Sequence, residues 1–117
     1  MSQKKRYHIH ISLVRNENLY LENALEYALS KDYFLTWDLL ATNTNFVEYS
    51  RQQIDQCDYM IFILGNDYGH LSLSGVSYLH LSYIYASSKR VPMIALVNTQ
   101  PSQHELLRQR LDLFNLV

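Results

Sequence analysis

Asp58 to Leu64 reads DYMIFIL, a continuous apolar run behind one leading acid. A run of this length suits a strand buried on both faces, and such a strand needs a layer of helix on each side of it. The rest of the chain supplies those layers. Tyr7 to Val14 (YHIHISLV) and Tyr33 to Trp37 (YFLTW) are strand candidates. Val91 to Val97 (VPMIALV) is the last, with Pro92 tolerable at its start. Leu19 to Ser30 reads as a helix whose apolar stripe is Leu21, Ala24, Leu25, Ala28 and Leu29. A second helix runs from Phe46 to Gln56, with Asn45 as its candidate cap and Phe46, Tyr49 (or Ser50), Gln53 and Ile54 as a weaker stripe. Ser77 is a natural N-cap for a third helix running to about Lys89, where Lys89 and Arg90 favour the helix dipole. Pro101 and Ser102 open a fourth, through Leu113.

Strict alternation of strand and helix predicts a three-layer α/β domain with a mostly parallel sheet, spanning residues 1–117 as one unit. Right-handed crossovers and the short length favour a flavodoxin-like strand order, 2-1-3-4. That order locates a crevice, because ligands in open α/β sheets sit beyond the carboxyl ends of the strands at the topological switch point. Here those ends are Ser12 to Asn16 and Gly65 to Gly69.

The candidate ligand-binding residues are therefore Ser12 and Arg15 after the first strand, and Gly65, Asn66, Asp67, Tyr68 and Gly69 after the third. Ser77, His80 and Ser82 at the start of the following helix complete the set. Glycine and asparagine accept positive φ, so the Gly65–Gly69 loop either cradles a phosphate or ribose hydroxyl with its N–H groups or merely ends the strand. It lacks the GK[ST] of a P-loop, and its glycines are wrongly spaced for a dinucleotide fingerprint. His8 and His10 share one strand face, but two imidazoles fall short of the three or four ligands a metal site needs, so no metal is expected. Cys57, the only cysteine, reads as a small core residue.

Charge excludes further classes. The chain is 18% charged with a net charge of −1, which offers no field for nucleic acid or an anionic membrane. Lys4, Lys5 and Arg6 are a short basic cluster, read as a solvated tail. No apolar run approaches the roughly 20 residues of a spanning helix. The single cysteine fits a reducing, cytoplasmic address. Ten tyrosines stand against four phenylalanines and one tryptophan, so they either line the core edge or form a self-association surface.

Three blocks carry a resemblance: CDYMIFILGNDYG from Cys57, SYLHLSYIYA from Ser77, and KRVPMIALV from Lys89. In that order they resemble the TIR-like domain of unknown function found at the N-terminus of many STAND-type NTPases. The likeness covers about residues 54 to 97. It implies a TIR-type flavodoxin-like fold, in a chain that is either the N-terminal part of a longer protein or a stand-alone domain. Its relatives include NAD-cleaving TIR domains and nucleoside deoxyribosyltransferases, in which a glutamate on the helix after strand three meets the ribose. A carboxylate there stabilises the positive charge that builds on the sugar as the glycosidic bond breaks. The family spacing puts that glutamate at Ser82, and Asp67 is the only acid from Tyr59 to Gln103. The resemblance thus implies a non-catalytic TIR-like signalling or defence module. Such a module binds NAD or another nucleotide-type ligand, self-associates, or pairs with a partner TIR-like or effector domain, with no resident cofactor. One alternative is an NAD glycohydrolase or deoxyribosyltransferase-like enzyme using Asp67 or a residue of another subunit; the other is a structural domain with an empty crevice.

Overall fold

The computed structural model describes residues 6–98 and 107–117. Four strands, β1 (His8–Ser12), β2 (Phe34–Trp37), β3 (Tyr59–Leu64) and β4 (Met93–Val97), alternate with four helices. The helices are α1 (Leu19–Leu29), α2 (Phe46–Gln56), α3 (Tyr78–Ser88) and α4 (Leu107–Leu116). All strand pairs are parallel and the order is β2-β1-β3-β4, the flavodoxin-like order expected from the alternation. The expected start of the last helix at Pro101 and Ser102 lies outside the described residues, as do Lys4 and Lys5.

Because side chains alternate along a strand, each strand feeds two different cores. Ile9, Ile11 and Leu13 of the β1 segment join Ile61 and Ile63 of β3 on one face, where Leu21, Leu25 and Leu29 of α1 cover them. Met60, Phe62 and Leu64 of β3 point the other way, against Ile54 of α2, Leu79 and Ala86 of α3, and Leu113 of α4. Each fully buried side chain of this kind contributes about 1.5–3 kcal/mol, which makes β3 the centre of both cores. On that second face, the β1–β2 half is polar instead: His8, His10, Ser12, Thr36 and Asp38 are all buried there.

Several local expectations need correction. Ala24 and Ala28 are exposed, so the α1 stripe narrows to three leucines, and the buried residue of this helix is Glu22. Asn45 stands at the N-cap of α2 but makes no side-chain cap bond; Asn43 Oδ1 accepts from Asn45 N at 2.9 Å and the Asn43 carbonyl from Phe46 N. Ser50, not Tyr49, takes the buried place in the α2 stripe. Strand β4 starts at Met93 because Pro92 has no N–H to give, although its carbonyl accepts from Met60 N. Ser77 caps α3 as expected, its side chain accepting from His80 N at 3.0 Å.

Candidate functional site

The crevice forms where β1 and β3 end, and the loop after β3 shapes it. Gly69 has φ +105°, a left-handed conformation that favours glycine. A Cβ there would also lie 3.2 Å from Val14 Cγ2. Val14 and Gly69 thus meet across the switch point and divide the crevice into two mouths. Gly65 has a different reason for being glycine. Its φ is not positive; instead, an added Cβ would stand 2.7 Å from both carboxylate oxygens of Glu17.

Glu17, from the β1–α1 loop, is the residue the sequence reading missed. Its Oε1 accepts from Asn66 N and, at 3.1 Å, from Asp67 N. Two of the loop amides expected to cradle a phosphate are therefore occupied by a carboxylate of the chain itself. The available signal was position: Asn16-Glu17-Asn18 follows β1 directly at the switch point.

The mouth on the α1 side is a cavity of about 360 Å³ that includes Glu17, Asn18, Asn66 and Asn98, with apolar walls from Leu21 and Leu96. The Asn98 side-chain amide donates to Asn66 Oδ1, joining the end of β4 to the loop after β3. The mouth on the α2–α3 side is smaller, about 160 Å³, and is lined by Arg15, Thr42, Phe46, Gly69, His70 and Tyr78. Arg15 is already committed there. Its Nε donates to Glu22 Oε1 at 2.9 Å, its Nη1 to the Asp38 carbonyl at 2.7 Å, and its guanidinium lies 5.6 Å from the Trp37 ring centroid. Glu22 is buried because it also accepts from Asn16 N at 2.9 Å.

The expected site residues fall into four groups. Gly65 and Asn66 line the α1-side cavity, with Asp67 beside them on Glu17. Arg15 and Gly69 line the other mouth. Tyr68, Ser77 and His80 form a latch behind the loop: the Tyr68 hydroxyl bonds His80 Nδ1 at 2.7 Å and accepts from Ser77 N at 3.2 Å. Burial pushes His80 below the ordinary histidine value, with Asp112 acting against the shift. A neutral ring carrying its proton on Nε2 accepts a hydrogen bond from the tyrosine hydroxyl at Nδ1.

The fourth group lies away from both mouths. Ser12 is fully buried and donates to Asp38 Oδ2 at 2.6 Å. Ser82 is also buried, 2.9 Å from Ser50 Oγ, where α3 packs on α2.

Ser12 belongs to a hydrogen-bonded seam beneath the crevice floor. Asp38 Oδ1 meets His10 Nε2 at 2.8 Å, and Thr36 Oγ1 lies 2.7 Å from both His10 Nδ1 and His8 Nε2. The single Thr36 proton goes to one ring, and the other ring donates to the Thr36 oxygen. The two histidines singled out by spacing are thus bonded to each other through a threonine. Among the described residues, no group of three or more His, Cys, Asp or Glu is arranged to hold a metal. Burial pushes the Cys57 thiol up to about 11, and Asp58 adds to the shift. A thiol that keeps its proton is a poor nucleophile. Nor is any helix among the described residues long and apolar enough to cross a membrane.

A family model described as a domain of unknown function, DUF4062, matches residues 16–114, a span that takes in Glu17 and the whole Gly65–Gly69 loop but begins only at the last residue of the Ser12–Asn16 loop. No curated protein and no solved structure matches the chain.

Proposed function

The chain belongs to the DUF4062 family, and from that premise we propose that it is a non-catalytic, TIR-like ligand-binding module of a cytoplasmic signalling or defence protein. The observation that carries the reading is the α1-side cavity at the switch point, where three asparagines and a glutamate meet two apolar walls. Amides and a carboxylate suit ribose hydroxyls and the edge of a base, while leucines cover a ring face. Placement of residue 82 supports the non-catalytic part: this helix position faces Ser50 of α2, away from the cavity. An active glycosidic-bond enzyme would instead have to use Asp67, a residue of another subunit, or Glu17, whose carboxylate is engaged by two backbone amides.

A thermal-shift screen with nucleosides, nucleotides and NAD tests binding, since a ligand at about 100 times its dissociation constant adds about 2.7 kcal/mol. No shift with any of them would remove the reading. Incubation with the same compounds should release no free base; sustained turnover would replace it with the enzyme alternative.

Self-association is a second reading, favoured by the surface. Tyr20 and Tyr27 are 86% and 90% exposed on α1, and Ile94 is 63% exposed on the edge strand β4. An uncharged edge strand carrying an exposed isoleucine is a template for pairing with another copy. Light scattering should then give a mass that rises with concentration; a constant monomer mass would exclude it.

A further inference from the structure

Resting on the crevice-ligand reading above, we infer that the α1-side cavity selects an unphosphorylated nucleoside, a base carrying a sugar, over the corresponding nucleotide. Phosphate recognition is strongest where backbone N–H donors converge unoccupied on the crevice or a cation faces it. Here the chain itself has supplied acceptors to four backbone donors around the cavity. Asn66 N and Asp67 N bond Glu17, and Asn16 N bonds Glu22. Leu21 N, in the first turn of α1, bonds Asn18 Oδ1 at 3.1 Å. Among the described residues, the cation at the neighbouring mouth, Arg15, is spent on Glu22 and the Asp38 carbonyl.

A phosphate would therefore have to evict Glu17 and then face its charge. Like charges brought together in a partly enclosed cleft repel strongly, because little water screens them. Sugar hydroxyls meet the opposite situation. They can donate to the Glu17 carboxylate where it stands, and the Asn66 and Asn98 amides can pair with hydroxyls or a base edge. Leu21 and Leu96 supply the apolar surface for the ring. Size agrees: about 360 Å³ lies near the lower end of small-ligand sites and suits one nucleoside better than a dinucleotide. Gly65 is part of the same device, since its missing Cβ leaves room for the carboxylate.

Isothermal titration of the unmodified chain with adenosine, guanosine, cytidine and uridine, each beside its monophosphate and beside inorganic phosphate, tests this directly. At least one nucleoside should bind, with its monophosphate weaker by about tenfold or more and inorganic phosphate silent. Glu17→Gln removes the charge, and Gly65→Ala keeps it but denies it room; either should shrink the difference to about threefold or less. A monophosphate that binds as well as its nucleoside overturns the inference while the crevice-ligand reading survives. An unchanged difference in both folded variants overturns it as well. If neither nucleosides nor monophosphates bind, the selectivity falls, and the crevice-ligand reading falls with it when NAD too leaves the melting temperature unchanged. Should the variants not fold, the comparison on the unmodified chain still decides.

Discussion

One face of this sheet is built in two chemistries. Over β3, Met60, Phe62 and Leu64 meet Ile54, Leu79 and Leu113 in a buried apolar core. Over β1 and β2, at the same depth, lies the chain His8–Thr36–His10–Asp38–Ser12. Among the described residues, every buried side-chain nitrogen and oxygen has a partner, so the polar half is as complete as the apolar one. The difference lies in what holds each half in place. Apolar packing is non-directional and accepts any side chain of about the right volume. A hydrogen-bonded seam is directional: each donor must find its acceptor, and one wrong atom leaves a buried group unpaired. Toward the crevice the seam finishes in the Asp38–Ser12 pair, and the Asp38 carbonyl holds Arg15, so the directional half fixes the crevice floor.

Replacement variants separate the two halves. Asp38→Ala should have the largest effect, about 3–5 kcal/mol, because it strands a buried imidazole and a buried hydroxyl together. Denaturant unfolding measures it, and a loss below about 1 kcal/mol would show the seam to be incidental. Phe62→Leu keeps an apolar group in the other half and should cost less, about 1–2 kcal/mol. If both halves responded alike, the contrast between directional and volume-filling packing would not hold here.

The same contrast decides how much could be read from the sequence. DYMIFIL announced its strand because a run buried on both faces leaves only apolar residues, and strand order followed from the alternation of elements. HIHIS also announced a strand, and the common face of His8 and His10 was legible from the period of two. Their partners were not. Thr36 and Asp38 lie on and just after β2, and only the β1–β2 register brings them under the histidines. Glu17 was hidden for a similar reason: its contact with Asn66 and Asp67 spans about 50 positions of chain, and an exposed-looking acid in a loop carries no pattern of its own. The helix positions suffered differently. Spacing found the place of Ser82 on α3, but which way it faces depends on how α3 docks against α2.

Ser82 offers a smaller test of directional packing inside the helical layer. Its hydroxyl and that of Ser50 are each other's partners in a buried contact. Ser82→Ala should cost about 1 kcal/mol by leaving Ser50 unpaired, and Ser50→Ala about the same. The double variant should cost less than the sum, because it removes both polar atoms together. Strict additivity in a double-mutant cycle would mean that the two hydroxyls do not depend on each other. Ligand affinity should stay within about twofold in all three variants, since the pair lies outside both mouths.

The smallest effect concerns protons, and it joins the two halves. Burial lowers His8 in the polar seam, with His10 adding to the shift and the Gln56 backbone and Asp58 opposing it. It also lowers His80 in the latch, against the pull of Asp112. Both shifts have the same sign, so the unfolded chain takes up protons before the folded one does. The stability these neutral rings supply is present above the ordinary histidine value of 6.5 and is lost as pH falls through their lower folded values. The melting temperature should therefore hold level from about pH 8 to 7 and decline from about 6.5 towards 5. His80→Gln, which can still accept from Tyr68, should remove part of that decline and leave the share due to His8. A melting temperature that rises on acidification through this window would mean that these rings gain protons on folding, and that the seam holds a charge where the hydrogen-bond pattern needs only one shared hydroxyl proton between two rings.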